Sequence, residues 1–454
     1  MSSSLVLGYY ALTAMILCIG LLKLGLIPLA LLFECRRGLF FTRYGKLSAL
    51  PPGSPAKEIQ RSRRPTRASR HFGQTPAYSV SVIIPAYNEE VVLRACVESI
   101  LRSKGDLAEV VIIDDGSTDG TAKLMRELAQ EHLLVKAISQ ENAGKGAALN
   151  RGIEEATGEI LVFVDADGVF SPVTIAWLLT GFRDAKVGAV CGDDRPVNPD
   201  RVLTKMLSVL SHLGTGVVRR ALSLMHCLPV VSGNIGAFRA DLVRELGGFR
   251  TDTVGEDLEL TWRFYRAGYR VSFEPRAIVL AESPSTLQAL WKQRVRWARG
   301  LLQSIKIHWR MHGNPRYGPF GMFLLFNFAT MVVVPLAQIL VLAGLLYFIP
   351  AGLVTFGGGE EASWVGRTAM VIGWIGLGIT MASVAFGIAL NTAWRDLANL
   401  WTFPFWPFYA TGMGFTMLAA VASEIRGRPA TWNKLQRTGI ISSSEFSDIL
   451  GTGQ

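Results

Sequence analysis

Ile160-Leu161-Val162-Phe163-Val164-Asp165-Ala166-Asp167-Gly168 is an apolar run that breaks into two carboxylates and a glycine. An unbroken apolar run of this length, closed by a turn signal, reads as a strand buried on both faces. We place the strand over Glu159–Asp165. Residues two apart on a strand share a face, so Asp165 and Asp167 are expected to converge on one cation. An all-oxygen site of this kind suits Mg2+ or Mn2+, which bridges the phosphates of a nucleotide substrate. In open α/β sheets, ligands sit beyond the carboxyl ends of the strands, where this pair falls.

About fifty residues upstream, Val111-Ile112-Ile113-Asp114-Asp115-Gly116-Ser117-Thr118-Asp119-Gly120 repeats the pattern of an apolar strand ending in carboxylates and a turn. Carboxylates there accept hydrogen bonds from a base or a ribose. A helix N-cap with its turn explains the same residues. Further β-rich runs lie at Val80–Pro85, Glu109–Asp114, Val135–Ser139 and Val187–Cys191, with helical patterns such as Glu89–Arg102 and Gly120–Glu131 between them. This alternation predicts an α/β domain with a mostly parallel sheet covered by helices.

The rest of the 454-residue chain is too apolar for a purely soluble protein. Hydrophobic residues make up 50% and charged residues 18%, against roughly 25% charged in soluble domains. Residues 5–33 are apolar apart from Lys23, long enough for a membrane anchor. No charged residue lies between Arg316 and Glu360, and residues 368–394 and 397–423 are likewise uncharged. Three C-terminal membrane segments are expected near 319–349, 368–392 and 400–423. The last opens on Trp401-Thr402-Phe403-Pro404-Phe405-Trp406-Pro407, a composition suited to the membrane interface.

The net charge of +10 is local. Residues 34–70 hold ten Lys/Arg and two Asp/Glu, beside an apolar segment, where cytoplasmic flanks are positive. No nucleic-acid motif accompanies that charge, so no nucleic-acid partner is expected. The five cysteines form no CxxC pair, which argues against a zinc site or a disulfide framework. One N-terminal and three C-terminal spans would put the tail outside. Yet Arg426, Arg428, Lys434 and Arg437 prefer the inside, so either one C-terminal segment is re-entrant or the charge rule fails here.

Two further clusters carry chemistry. In Thr253-Val254-Gly255-Glu256-Asp257-Leu258-Glu259, Asp257 falls at a helix start. The helix dipole alone favours an acid there, and a general base for an attacking hydroxyl is the functional reading. Gln293-Arg294-Val295-Arg296-Trp297 lies in an amphipathic stretch, Leu287–Arg310. That stretch suits the membrane interface; Arg296 suits a diphosphate, and Trp297 presents a flat face to a sugar.

Together these four motifs resemble the membrane-embedded processive glycosyltransferases of family two. That group includes the cellulose, chitin, hyaluronan and poly-N-acetylglucosamine synthases. The resemblance covers about residues 80–312 and the flanking membrane pattern. The triplet Gly255-Glu256-Asp257 departs from the Thr-Glu-Asp of cellulose synthases, and Leu290–Ala298 looks more like the poly-N-acetylglucosamine form.

The resemblance implies a GT-A type domain inserted between transmembrane helices, a UDP-sugar donor, inversion, and Mg2+ or Mn2+. Asp114, Asp115, Lys145, Gln293 and Arg296 would bind the donor. Asp167 would hold the metal with Asp165 assisting, and Asp257 would be the base. Trp297, Glu256, Ser232 and Gly233 would meet the acceptor. The expected organisation is an N-terminal transmembrane helix (1–34), a basic linker (35–79), a cytoplasmic GT-A domain (80–285) and an interfacial helix with QxxRW (286–312). A C-terminal transmembrane region (313–425) and a polar tail (426–454) complete it. The expected function is polymerisation of a β-linked polysaccharide, from UDP-N-acetylglucosamine, with translocation across the plasma (inner) membrane. The alternatives are single transfer to a polyprenyl phosphate, or β-glucan synthesis from UDP-glucose. A transporter whose soluble domain only binds nucleotide would leave Asp257 idle. Expected partners are the donor, the growing polysaccharide and the bilayer; some relatives also use a small membrane subunit.

Overall fold

The computed structural model describes residues 24–43, 78–348, 360–427 and Gly439. Most of the first expected span and of the basic linker lies outside these residues. The helix α1 (Leu26–Arg43) does not stop at residue 34, and its Glu34 and Arg37 are held by the α/β domain. Arg37 pairs with Glu274 at 2.7 Å, and Arg220 Nε donates to Glu34 at 2.6 Å.

The domain is built on one eight-stranded sheet. Its first strands and helices are β1 (Val80–Ala86), α2 (Leu93–Arg102), β2 (Leu107–Asp115), α3 (Thr121–Glu131), β3 (Val135–Gln140), α4 (Lys145–Glu155) and β4 (Ile160–Phe163). They form a parallel unit with β1 central, Val82 opposite both Val110 and Val162. Val80, Val82 and Ile84 enter one core and Ile83 the other, the period-two alternation of a strand covered on both faces.

The second half is not parallel throughout. It holds β5 (Val169–Phe170), α5 (Thr174–Thr180), β6 (Val187–Pro196), β7 (Gly236–Arg239), α8 (Ala240–Glu245), α9 (Glu256–Arg266) and β8 (Arg270–Ala281). Between β6 and β7 lie α6 (Val202–His212), a π-helical turn at Leu213–Val218 and α7 (Arg219–Leu224). The strand order is β3-β2-β1-β4-β7-β6-β8-β5, with β7 antiparallel to both neighbours. A short connection from a helical excursion lets β7 enter in either direction, and sequence periodicity does not encode which.

The expected strand through Asp165 is also corrected. The strand β4 ends at Phe163, and Gly168 N donates to the Asp165 carbonyl at 2.8 Å, closing a turn. The two aspartates therefore sit on a loop and do not share a strand face.

Beyond the sheet, α10 (Leu287–Ile307) carries the QxxRW motif. A helical run follows: α11 (Gly318–Phe328), a π-helical turn at Ala329–Val333 and α12 (Val334–Phe348). Then come α13 (Glu360–Leu390), a 3-10 segment at Trp394–Phe405 and α14 (Trp406–Ile425). Among the described residues one stretch, Pro315–Leu340, is long and apolar enough to cross a bilayer, and Gly378–Leu390 is a shorter apolar helix. Two glycine pairs let helices touch: a Cβ on Gly216 would stand 2.5 Å from Gly387 Cα, and one on Gly255 would stand 2.8 Å from Gly300 Cα.

The parallel unit is locked below β1 by Glu109. Its carboxylate accepts from Ser81 Oγ (2.6 Å), Thr157 N (2.6 Å) and Thr157 Oγ1 (2.7 Å), and pairs with Lys136. Burial pushes this carboxyl up, but those partners outweigh it and hold it at about 2, against an ordinary 4.5. Its contribution is therefore full above about pH 4.5 and is lost as pH falls toward 2. Glu109→Gln should cost roughly 1–3 kcal/mol at neutral pH, lowering the melting temperature by about 2–4 °C per kcal/mol. Thermal unfolding of both proteins at pH 7 and at pH 3 checks this; a gap that does not narrow at the lower pH contradicts it.

Candidate active site

The cleft lies at the carboxyl ends of β1, β2 and β4. At the end of β2, Asp114 and Asp115 are both buried. Ser117 N donates to Asp114 Oδ1 at 2.9 Å. Asp115 accepts from Gln140 Nε2 (2.8 Å), Ala143 N (2.9 Å) and Gly144 N (2.9 Å). Its oxygens thus shape the turn that launches α4. Asn88, at φ 56°, braces the same rim: its Oδ1 accepts from Thr118 N at 2.7 Å.

That turn places Lys145 at the first position of α4. Its Nζ stands 2.6 Å from Asp165 Oδ1 and 3.7 Å from Glu256 Oε1. Burial works against the lysine's charge, but Asp165 and Glu256 hold it above the ordinary lysine range. Burial pushes Glu256 up, as does neighbouring Asp257, against the pull of Lys145 and Arg296. Lys145, Glu256, Arg296 and Arg250 line one cleft, together with residues of the Ala143–Gly146 turn and with Thr251, Thr253 and Val254.

Asp257 sits beside this cleft in the first turn of α9. Its Oδ2 accepts from Gly233 N at 3.1 Å and its Oδ1 from Leu258 N at 2.7 Å. Both contacts stabilise a carboxylate and fix its orientation. The segment Ser232-Gly233-Asn234 stitches the floor together. Asn234 Nδ2 donates to Asp194 at 3.3 Å, and Asp165 N donates to Asn234 Oδ1 at 3.3 Å. Ser232 N donates to Cys191 Sγ at 3.5 Å, where Arg219 also donates at 3.6 Å.

The glycine that departs from the Thr-Glu-Asp pattern has a structural reason. Gly255 lies against the backbone of Gly300 in α10, and a Cβ on either residue would collide with the other's backbone. This contact seats the helix that carries Gln293, Arg296 and Trp297 against the start of α9. A second brace is buried behind it: Glu259 pairs with Arg263 at 2.8 Å and with His308 Nε2 at 3.0 Å.

The structure thus gathers Lys145, Asp165, Ser232, Gly233, Glu256, Asp257 and Arg296. Gln293 and Trp297 do not line the cleft. Gln293 Oε1 is buried and has no hydrogen-bond partner among the described residues. Trp297 is 50% exposed, with the Arg294 guanidinium 4.2 Å from its ring centroid. Asn88, Asp194 and Arg219 were not singled out from sequence. Asp194 lies within β6 and so carries no strand-end signal; Asn88 acts through hydrogen bonds from Thr118 and Asp119, about 30 residues on, which leave no local pattern.

A divalent cation fits this chemistry in a limited way. Asp167 is 2% exposed, and its Oδ2 accepts from Glu282 N at a long 3.4 Å. Burial pushes the Asp194 carboxyl up to about 6; Arg219 and Asn234 oppose this, and the Asp167 and Asp165 charges add to it. Such mutual repulsion is relieved by a cation. Among the described residues no three His, Cys, Asp or Glu side chains form a group able to hold a metal. The remaining ligands would come from substrate phosphates, as is usual for Mg2+.

A mixed sheet with acidic strand ends, a buried lysine and a braced carboxylate defines a nucleotide-sugar transferase of GT-A-like fold. Residues 76–300 match the family described as "Glycosyltransferase like family 2", so the chain carries a glycosyltransferase domain of that family. The chain is 32% identical over 222 residues to the poly-beta-1,6-N-acetyl-D-glucosamine synthases of Staphylococcus aureus (strain COL) and Staphylococcus epidermidis, covering 49% of this chain and 54% of each relative. It therefore spans about half the length of these curated relatives. A mannosyltransferase from Pyrobaculum calidifontis, solved with GDP-Man and Mn2+, shares the fold at a TM-score of 0.58 and 24% identity, over 91% of this chain and 99% of that one.

Proposed function

We propose that this chain is a processive, inverting glycosyltransferase that extends a β-linked polysaccharide from UDP-N-acetylglucosamine and passes it across the membrane that holds it. The observation that carries the transfer chemistry is Asp257, gripped by Gly233 N and Leu258 N beside the Lys145–Glu256 cleft. The choice of sugar rests on the synthases that it resembles at 32% identity.

In this reading Asp257 takes the proton from the attacking acceptor hydroxyl. Lys145 and Arg296 face the diphosphate, where fixed positive charge stabilises the leaving group. Asp167, with Asp165 and Asp194 beside it, would hold a divalent cation that neutralises the departing UDP. Asp115 shapes the backbone turn that positions Lys145, and Asp114 sits at the uridine end. Ser232, Gly233 and Glu256 border the acceptor side. The expected setting is a multi-pass membrane protein with this domain cytoplasmic.

Purified protein supplied with UDP-N-acetylglucosamine, UDP-glucose or GDP-mannose tests the proposal. The expected result is UDP release with a ladder of oligomers from the first donor. One sugar on a lipid would replace this reading with the single-transfer alternative. UDP-glucose as the preferred donor would replace the sugar.

Trp297 is the residue expected to govern product length. Half exposed on α10, it can meet the apolar face of a sugar without a fixed hydrogen-bond pattern. Trp297→Ala should shorten or abolish polymer while nucleotide binding persists. Trp297→Phe should retain more length than Trp297→Leu; equal lengths from those two would reduce Trp297 to an interfacial anchor.

A further inference from the structure

The 32-residue stretch from the 3-10 segment through α14, residues 394–425, contains the third C-terminal membrane segment expected from the sequence, near 400–423. Its polar ends say otherwise. At the start, Asp396 Oδ2 accepts from Ser208 Oγ at 3.0 Å and pairs with His212 Nε2 at 2.6 Å. Just before it, Asn391 accepts from Arg220 at 2.7 Å and donates to His212 Nδ1 at 3.0 Å. Ser208, His212 and Arg220 belong to α6 and α7, the helical excursion between β6 and β7. The start of the stretch is thus tied to the catalytic domain.

The far end returns to the same domain. Glu424 Oε1 accepts from Arg299 Nε at 2.7 Å and from Gln303 Nε2 at 3.0 Å. Gln303 Oε1 in turn accepts from Thr253 Oγ1 at 2.9 Å and Val254 N at 3.0 Å, just ahead of Asp257. Farther on, Gly439 lies against the catalytic domain: a Cβ on it would stand 2.7 Å from Val91 Cγ1. A 20-residue helix is about 30 Å long, so a crossing would separate its ends by the whole hydrocarbon core. Here both ends, and Gly439 beyond them, meet the domain that carries the cleft.

Between the two ties the surface is aromatic. Trp394 (59%), Trp401 (52%) and Phe408 (77%) are exposed, while Thr402, Gly414 and Met417 are buried against the protein. Exposed Trp and Phe beside polar anchors suit the interfacial zone of a bilayer.

We propose that residues 394–425 do not cross the membrane. They return to the leaflet on the catalytic domain's side, with the aromatic face toward lipid. The tail with Arg426, Arg428, Lys434 and Arg437 is then on the same side as the active site. This arrangement satisfies the charge rule that a fourth span would break. It leaves the expected anchor at residues 5–33, the Gly318–Phe348 run and α13 as the crossing segments. The proposal rests on the membrane-embedded reading above.

The test uses the full chain in sealed vesicles with the catalytic domain facing out. One version carries an epitope after Gln454, and the other carries it between Gly358 and Gly359. Protease added outside should remove the tail epitope and spare the 358/359 epitope until detergent is added. A tail epitope protected until detergent overturns the proposal. Loss of both epitopes, while a lumenal marker stays intact, overturns it together with the membrane-embedded reading. UDP release in the same vesicles, measured before protease, reports separately on the transferase reading.

Discussion

Asp257→Asn should abolish sugar transfer while UDP binding survives. The substitution is nearly isosteric, and the cleft lined by Lys145, Glu256 and Arg296 does not include Asp257. What changes is the acceptor side. The carboxylate receives Gly233 N on one oxygen and Leu258 N on the other. An asparagine can satisfy only one of these with its oxygen, and it cannot take a proton from a hydroxyl. General-base catalysis contributes typically ~10²–10⁴-fold, and the lost hydrogen bond adds to the effect. UDP release and product yield measure the transfer, and titration with UDP measures the binding. A variant with near-normal yield would remove Asp257 from the chemistry.

A chelator should stop turnover in the native enzyme, and Mg2+ or Mn2+ should restore it. In Asp167→Ala neither ion should restore activity at ordinary concentrations. The reason lies in the loop after β4. Asp167 is buried beside Asp165 and Asp194, and the Asp194 carboxyl is already displaced upward in part by their charges. A diphosphate brought near these carboxylates without a cation would meet charge of its own sign. Removing Asp167 lowers that repulsion but deletes the buried ligand. Transfer at full rate in chelator would show that the carboxylates serve the loop and not a cation.

The parallel half of the sheet was legible because its burial leaves little room for polar residues. Strands β1, β2 and β4 are covered on both faces, so their sequences are mostly apolar, and the buried exceptions Ser81 and Glu109 bond to each other. The place of β7 between β4 and β6, and its antiparallel direction, were not legible, because both depend on how α6 and α7 return the chain. The strand β8 escaped notice because Glu274, Pro275 and Arg276 interrupt its apolar pattern; there Glu274 pairs with Arg37 and Arg276.

The site divides in the same way. By residue type and position, the sequence singled out the acids at strand ends and the acidic triplet as candidate chemical groups, and the family resemblance added the lysine at a helix start. Such groups must follow a buried strand or open a helix, and both contexts are local. Only the tertiary structure decided how they face one another. Asp165 turns to Lys145 because its strand ends two residues before it, and Asp115 serves the turn ahead of α4. Gly255 replaces a larger residue because Gly300 of α10 occupies the space a Cβ would need. The last hydrophobic stretch makes the same point at larger scale. An uncharged run of this length reads as a span, whereas in the structure Asp396 and Glu424 tie its two ends to helices far away in the chain. Hydropathy is a sum over neighbours in sequence, whereas the side of a membrane on which a segment ends is set by partners that the chain meets only after folding.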